Sequence, residues 1–470
     1  MDEREFDVIV VGAGPVGEVA AGRMTAGGLS VAVIEAELAG GECSYWACMP
    51  SKALLRPVEL VEAAKRIQGV RGAEVDPAAV LARRDKVVKR TADGGHDDSG
   101  QTEWVRSICA EFYRGRGRLA GEKRVEVLVD GSAAHTLTAR HAVVLATGSR
   151  PTVPPVPGLR EASPWGSREV TNVDAVPGRV VILGGGVVGC ESAAMLAGLG
   201  SAVTLVSRGG LLDRNEPWAG ELVADGLRAQ GVDVRTGLQV SEVSRSGDGT
   251  VTVTAGDETF VADQIVSALG RRPATEGIGL ESVGLDASKA IEVDDSLRST
   301  SLPWLYAVGD VNGRNLLTHM GKYQARACGD VVVARAKGEP DDGAKLTAYA
   351  DHEKTPQVVF TDPQVASVGL TEKAAREQGY DVRVVEYDLG WVAGASLVAD
   401  DYKGKASMVV DEKRRVPLGF TFVGQDVAEL LHGATVAVTA EVPLETLWHA
   451  VASYPTVSEV YLRLLEAYGL

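Results

Sequence analysis

The sequence predicts an α/β chain in which two nucleotide-binding βαβ units precede a C-terminal α+β segment, and three observations carry that prediction. The apolar run Phe6 to Val11 leads into Gly12, Gly14 and Gly17, spaced Gly-x-Gly-x-x-Gly. The same spacing returns after Val180 to Leu183 as Gly184, Gly186 and Gly189. From Thr355 onward the texture changes to strands followed by helices, the order of an α+β domain. A chain of 470 residues with 45% hydrophobic content has room for about three domains of ordinary size.

Composition excludes several partners. The net charge is −16 and the pI is near 5.0, with no basic run and no alternation of aromatic and basic residues, so neither nucleic acid nor an anionic membrane is expected to bind. The opening MDEREF is too charged for a signal peptide, and no apolar segment approaches the roughly 20 residues that span a bilayer; a cytoplasmic protein is expected. Five cysteines are too few for a disulfide framework in a chain of this length.

In chain order, Phe6 to Val11 reads as a strand buried on both faces, Glu18 to Ala26 as a helix, and Leu29 to Ile34 as a second strand ending in Glu35. Strand, glycine turn, helix, strand and acid together make a Rossmann-like dinucleotide fingerprint. Gly12, Gly14 and Gly17 allow the tight turn and close approach to the pyrophosphate, the helix N-terminus faces its charge, and Glu35 can hold a ribose.

Next comes GGECSYWACMPSK, with Cys43 and Cys48 five residues apart and Pro50 placed to open a helix. In a regular helix residues at that separation lie about 7.5 Å apart along the axis, on different faces, so a bridge between them requires an irregular turn. A thiol just before a helix N-terminus is favoured as thiolate, which fits a pair cycling between dithiol and disulfide. Two alternatives stand beside this reading. One is a zinc site, for which no second pair of ligands is found downstream; the other is two unrelated buried thiols.

Val58 to Val88 reads as helical, with Leu60, Ala64 and Ile67 as a buried stripe. Thr91 to Glu103 reads as a loop in which His96 is solvated. Arg124 to Val129 and Ala133 to Ala139 form a hairpin about Asp130-Gly131, and Ala142 to Ala146 is a buried strand running into Thr147, Gly148 and Ser149. Prolines 151, 154, 155 and 157 then stiffen a linker. After the second glycine turn, a helix from Cys190 to Leu199 and a strand Ala202 to Val206 lead to Ser207 and Arg208, where the first unit has its acid, with Arg214 six residues on. Arginine in place of a carboxylate favours a 2′-phosphate, hence NADPH, although the retained Gly189 leaves NADH possible. A buried strand Gln264 to Leu269 ends at Gly270, and Leu305 to Val308 leads into Gly309-Asp310.

GAGPVG with Glu35, GGECSYWACMPSK, ATGSRP, GGGVVGCE, GRRP, AVGD and SYPTVSE follow one another over essentially the whole chain. In that order they resemble the class I flavoprotein disulfide reductases, the family of glutathione reductase, dihydrolipoamide dehydrogenase and mercuric reductase. The resemblance implies an FAD domain in two parts (1–157 and 276–345), an inserted NAD(P)H domain (158–275) and an interface domain (346–470) that pairs two subunits. It implies that Cys48 is the flavin-proximal thiol and Cys43 the interchange thiol, and that Lys52 and Glu191 pair beside the flavin. Thr147, Gly148, Gly270 and Asp310 would contact cofactor, with Thr318 and His319 near the flavin ring. No metal is implied.

The sequence departs from the family at its acid–base position. Tyr454-Pro455-Thr456 ahead of Glu459 stands where the family has a histidine, and the chain ends without the vicinal cysteines of mercuric reductase, which puts mercury(II), glutathione and lipoamide in doubt as substrates. The expected activity is NADPH-dependent reduction of a small or protein disulfide by a homodimer. The alternatives are a flavin-based quinone or metal-ion reductase and a redox-sensing flavoprotein with little turnover.

Overall fold

The computed structural model describes residues 2–108 and 110–470, and it forms two compact units. The first gathers Met1–Pro50, Asp85–Thr152 and Gly270–Asp351; the second gathers Ser51–Arg84, Val153–Leu269 and His352–Leu470.

The first unit is built on a seven-stranded sheet. β1 (Asp2–Val11) lies between β2 (Val31–Glu35) and the strand Ser132–Leu145, parallel to both, and Leu305–Ala307 adds a further parallel strand. Val8, Ile9 and Val10 are fully buried, as a parallel strand covered on both faces requires. α1 (Pro15–Ala26) begins directly after the glycine turn, with Pro15 at its first position. Helix Thr318–Lys337 packs against α1: a Cβ at Gly321 would lie 2.6 Å from a methyl of Val16.

Several elements differ from expectation. Ala133 to Ala139 and Ala142 to Ala146 are one continuous strand, Ser132–Leu145, whose first half pairs with the hairpin strand Arg124–Val129 while His135 to Leu145 follows β1. The helical reading of Val58 to Val88 breaks into two helices, Cys48–Lys65 and Pro77–Val87, and Leu60 and Ile67 are exposed, so the supposed stripe is not a core face. Inside the supposed loop, Ser99–Ser107 is a helix.

The second unit holds a four-stranded parallel sheet in the order Asp233–Arg235, Ala202–Val206, Arg179–Leu183, Gln264–Ser267, with helix Val187–Gly198 following the second glycine turn. It also holds a five-stranded antiparallel sheet formed by Pro356–Val359, Gln364–Gly369, Val416–Gly424, Lys405–Asp411 and Val382–Asp388. Helices Leu431–Thr439 and Val460–Tyr468 contribute buried residues to the core of that sheet. Among the described residues no helix is long and apolar enough to cross a membrane.

Candidate active site

The two cysteines sit on either side of a broken helix. α2 (Gly41–Tyr45) carries Cys43 and stops where Trp46 leaves helical geometry; α3 (Cys48–Lys65) then starts afresh. The break supplies the irregular turn that a bridge between residues five apart needs. Cys48 is the first residue of α3 and Pro50 the third, a small correction to the expected start at Pro50. The two thiols are close and unbridged, and Thr318, the first residue of its helix, meets the pair: its hydroxyl lies 3.3 Å from Cys48 Sγ. The bond to Cys48 is the largest influence raising the Cys43 pKa, and burial adds to it; Thr318 and Lys322 pull it down. A close thiol pair behaves this way because one ionisation opposes the next.

His96 is not solvated as expected. Its ring lies 5.2 Å from Tyr45 and 5.9 Å from Trp46, and its Nδ1 is 3.1 Å from the Val88 carbonyl, so it braces the end of α2. On the other side of Cys43, Glu42 meets Arg271 at 3.8 Å. Arg271 in turn donates to Ser149 Oγ at 2.7 Å, and Ser149 donates to Asp310 at 2.5 Å. Burial raises the Asp310 pKa, and the Ser149 bond opposes the shift. Thr147 donates to the Ala274 carbonyl at 2.8 Å, while Gly148 and Gly270 adopt φ of 75° and 110° with open space where a side chain would be. Thr318 and Asp310 are thus held by polar contacts, and His319 is exposed at the start of the same helix.

The first glycine turn fits a dinucleotide. A Cβ on Gly12 would lie 2.4 Å from the Ala146 carbonyl oxygen, and one on Gly17 would lie 1.9 Å from the Gly12 oxygen, so neither tolerates a side chain. Gly14 meets nothing within 4 Å, which leaves its face open to a pyrophosphate at the N-terminus of α1. Glu35 ends β2 with its carboxylate accepting from Ala13 N at 2.7 Å and Glu37 N at 2.8 Å.

In the second unit, Lys52 Nζ pairs with Glu191 at 2.6 Å, and the other Glu191 oxygen accepts from Phe360 N at 3.0 Å. The ammonium also lies 4.8 Å from the Phe360 ring centre, which fixes it by charge and by the ring face together. The second glycine turn repeats the first: Gly184 and Gly189 are closed by carbonyl oxygens at 2.5 and 1.8 Å, while Gly186 is open. Ser207 is buried and donates to the Gly210 carbonyl at 3.1 Å. Arg208 and Arg214 are exposed, with no ion-pair partner among the described residues. Tyr454 is 75% exposed, whereas Glu459 is buried and ion-paired with Arg463. Among the described residues no group of three His, Cys, Asp or Glu side chains could hold a metal.

Sequence reasoning did not single out Ser149, Arg271, Lys322 or Glu18. Ser149 and Arg271 stand inside two of the quoted motifs, but nothing local links them, because residues 122 positions apart meet only through strand pairing of Ser149–Pro151 with Arg271–Pro273.

Residues 6–338 match the pyridine nucleotide-disulphide oxidoreductase family, and residues 355–464 match its dimerisation domain. The chain is 32% identical over 466 residues to a dihydrolipoyl dehydrogenase of Chlamydia muridarum, covering 97% of this chain and 95% of that protein. It is also 32% identical over 473 residues to a glutathione reductase of Burkholderia cepacia, covering 99% of each. Among solved structures it resembles the HOCl-induced flavoprotein disulfide reductase RclA of Escherichia coli, with TM-score 0.83 and 26% identity over 98% of this chain and 99% of that one. A mutant of that protein solved as a Cu(II) complex is similar at TM-score 0.83 and 25% identity, covering 99% of both chains. With both glycine turns, the cysteine pair and the matched domains in place, this chain belongs to the pyridine nucleotide-disulphide oxidoreductase family and is an FAD-dependent member of it that uses NAD(P)H.

Proposed function

We propose that this chain is an NADPH-dependent reductase of a low-molecular-weight or protein disulfide, and the observation that carries the proposal is the Cys43–Cys48 pair brought together across a broken helix, with Thr318 Oγ1 3.3 Å from Cys48 Sγ. FAD, held by the first glycine turn, Glu35 and Asp310, would supply the two-electron chemistry that links the nicotinamide to the cysteine pair. Cys48, first in α3, is the flavin-side thiol stabilised by the helix N-terminus, and Cys43 is the thiol that meets the acceptor. The Cys43 thiolate attacks one acceptor sulfur, forming a mixed disulfide and releasing the first acceptor thiolate. Cys48 then attacks Cys43, releasing the second and restoring the internal disulfide; the two acceptor thiolates take up two protons. The Lys52–Glu191 pair keeps a positive charge oriented for the cofactor.

The preference for NADPH rests on Arg208 and Arg214, exposed and without ion-pair partners among the described residues at the end of the second strand, beside Ser207. Segments 1–157 and 276–345 would carry FAD, 158–275 the nicotinamide nucleotide and 346–470 the partner contact. In a homodimer, Tyr454 and Glu459 would complete the partner's acceptor site; the exposed Trp391, Leu397, Val451 and Tyr454 give the dimerisation domain apolar surface to bury. A second reading, reduction of a metal ion by the flavin itself, is favoured by the Cu(II) complex of the E. coli relative. Screening oxidised thiols, quinones and metal ions against NADPH consumption with Cys43→Ser alongside separates the two. Disulfide reduction should vanish in the variant; an activity that survives there belongs to the second reading.

A further inference from the structure

Three helix N-termini converge behind the cysteine pair. Gly41, which opens α2 two residues before Cys43, is packed so closely on α1 that a Cβ there would lie 2.9 Å from Gly14 Cα, and Gly40 N bonds the Ala13 carbonyl at 2.7 Å. Helix Thr318–Lys337 reaches α1 through Gly321 against Val16. Thr318 faces the thiols, and Lys322 is one turn further on the same face. Helical side chains lean toward the N-terminus, so the Lys322 stem runs back toward Thr318 and the cysteines. On α1, against which this helix packs through Gly321 and Val16, Glu18 stands in the first turn, 9% exposed and with Oε1 buried and unpartnered among the described residues.

We propose that Lys322 is a positioning residue that holds the interchange thiolate of Cys43 by charge, and that Glu18 sets how much of that charge reaches the thiol. The proposal rests on the disulfide-reductase reading above and deepens it. Tyr454, the residue placed there opposite the acceptor, is a phenol and brings no cation, so the thiolate needs one from its own subunit. Lys322 is the cation that draws both Cys43 and Glu18 toward their ionised forms. The neighbouring charged side chains are otherwise committed, Glu42 to Arg271 and Arg114 to Asp98, while Glu35 and the pyrophosphate of bound FAD at the N-terminus of α1 oppose ionisation of Glu18 and the Cys48 thiol opposes that of Cys43. Burial lifts Glu18 to about 7, so near neutral pH it is only partly ionised and leaves much of the Lys322 charge to the thiol. Once ionised, it competes for that charge.

The test is the pH dependence of Cys43 alkylation by iodoacetamide, followed by mass spectrometry, in flavin-loaded protein reduced with dithiothreitol. Reduction by dithiothreitol does not require catalytic turnover, so the inference and the reductase reading fail separately. Lys322→Met should move the alkylation midpoint up by about one pH unit, as expected for loss of a nearby opposite charge, and Lys322→Arg should restore it. Glu18→Gln should move it down, by less. Opposite signs from the two substitutions are not what a packing defect produces. An unchanged midpoint in Lys322→Met, or a rise in Glu18→Gln, overturns the proposal. If Lys322→Met loses flavin, Glu18→Gln carries the test alone, and a midpoint that stays put or rises in it is contradictory.

Discussion

The two glycine turns share a backbone solution and differ in what surrounds it. In each, the first and third glycines are shut by carbonyl oxygens and the middle one is open, so both turns present the same cradle for a pyrophosphate. Beyond the cradle they diverge. The first is followed by Glu18 in its helix and by Glu35 locked onto Ala13 and Glu37; the second is followed by Cys190, buried with its thiol near the Gly185 carbonyl, and by the exposed Arg208. The difference teaches that the glycines share one backbone task, whereas the next turn of helix and the end of the next strand are where, on the proposed reading, nucleotide choice and the neighbouring chemistry would be set.

If the first turn is tied to the redox pair and the second only to nucleotide choice, substitutions near each should fail in different ways. Cys43→Ser should lower acceptor reduction by more than about a thousandfold, since the attacking sulfur is gone, while reduction of the bound flavin by NADPH continues. Stopped-flow absorbance separates the two half-reactions, and loss of flavin reduction in this variant would blur the division.

A smaller effect concerns Glu18. Burial raises its pKa from 4.5 to about 7, so the folded protein holds a proton that the unfolded chain releases. Stability is therefore greatest below the unfolded value and falls as pH rises through about 7, a cost of about 3 kcal/mol once Glu18 is ionised. Glu18→Gln removes that cost, and its thermal unfolding midpoint should rise above the parent's with increasing pH. Parallel curves for the two proteins would contradict it.

At the second turn, replacing Arg208 and Arg214 by Ala should erase a preference for NADPH of about ten- to a hundredfold, because charge-assisted hydrogen bonds are worth roughly 1.5 to 3 kcal/mol each. Ratios of kcat/KM for the two nucleotides report this directly, and an unchanged ratio would remove the arginines from the account. The smallest effect is expected at Tyr454. Tyr454 is mostly exposed and offers a phenol hydroxyl as a hydrogen-bond donor, so Tyr454→Phe, which removes that one donor, should slow acceptor reduction by less than about tenfold. A loss beyond about a thousandfold would make it a true acid–base catalyst.

How much of this was legible depends on whether the determinant is local. Gly12, Gly14, Gly17 and their second-turn counterparts are legible because the backbone geometry they permit leaves its mark in residue type at fixed spacing. Cys43 and Cys48 were legible as a pair, although the break at Trp46 that joins them was readable only as a requirement. Leu60 and Ile67 misled because apolar spacing marks a face without saying what covers it, and both point to solvent in the chain by itself. His96 misled because its neighbours in sequence are polar while its neighbours in space are Tyr45 and Trp46. Lys322 and Glu18 were invisible: their relation exists only where α1 meets helix Thr318–Lys337, about three hundred positions along the chain.

The central claim is that electrons from the nucleotide reach an acceptor through Cys43 and Cys48, and counting thiols tests it most directly. The oxidised protein is titrated anaerobically with one equivalent of NADPH per chain, quenched with an alkylating agent and mapped by mass spectrometry. The account predicts that two cysteines, Cys43 and Cys48, become alkylated together on two-electron reduction. A flavin that is reduced while both remain unmodified would contradict it.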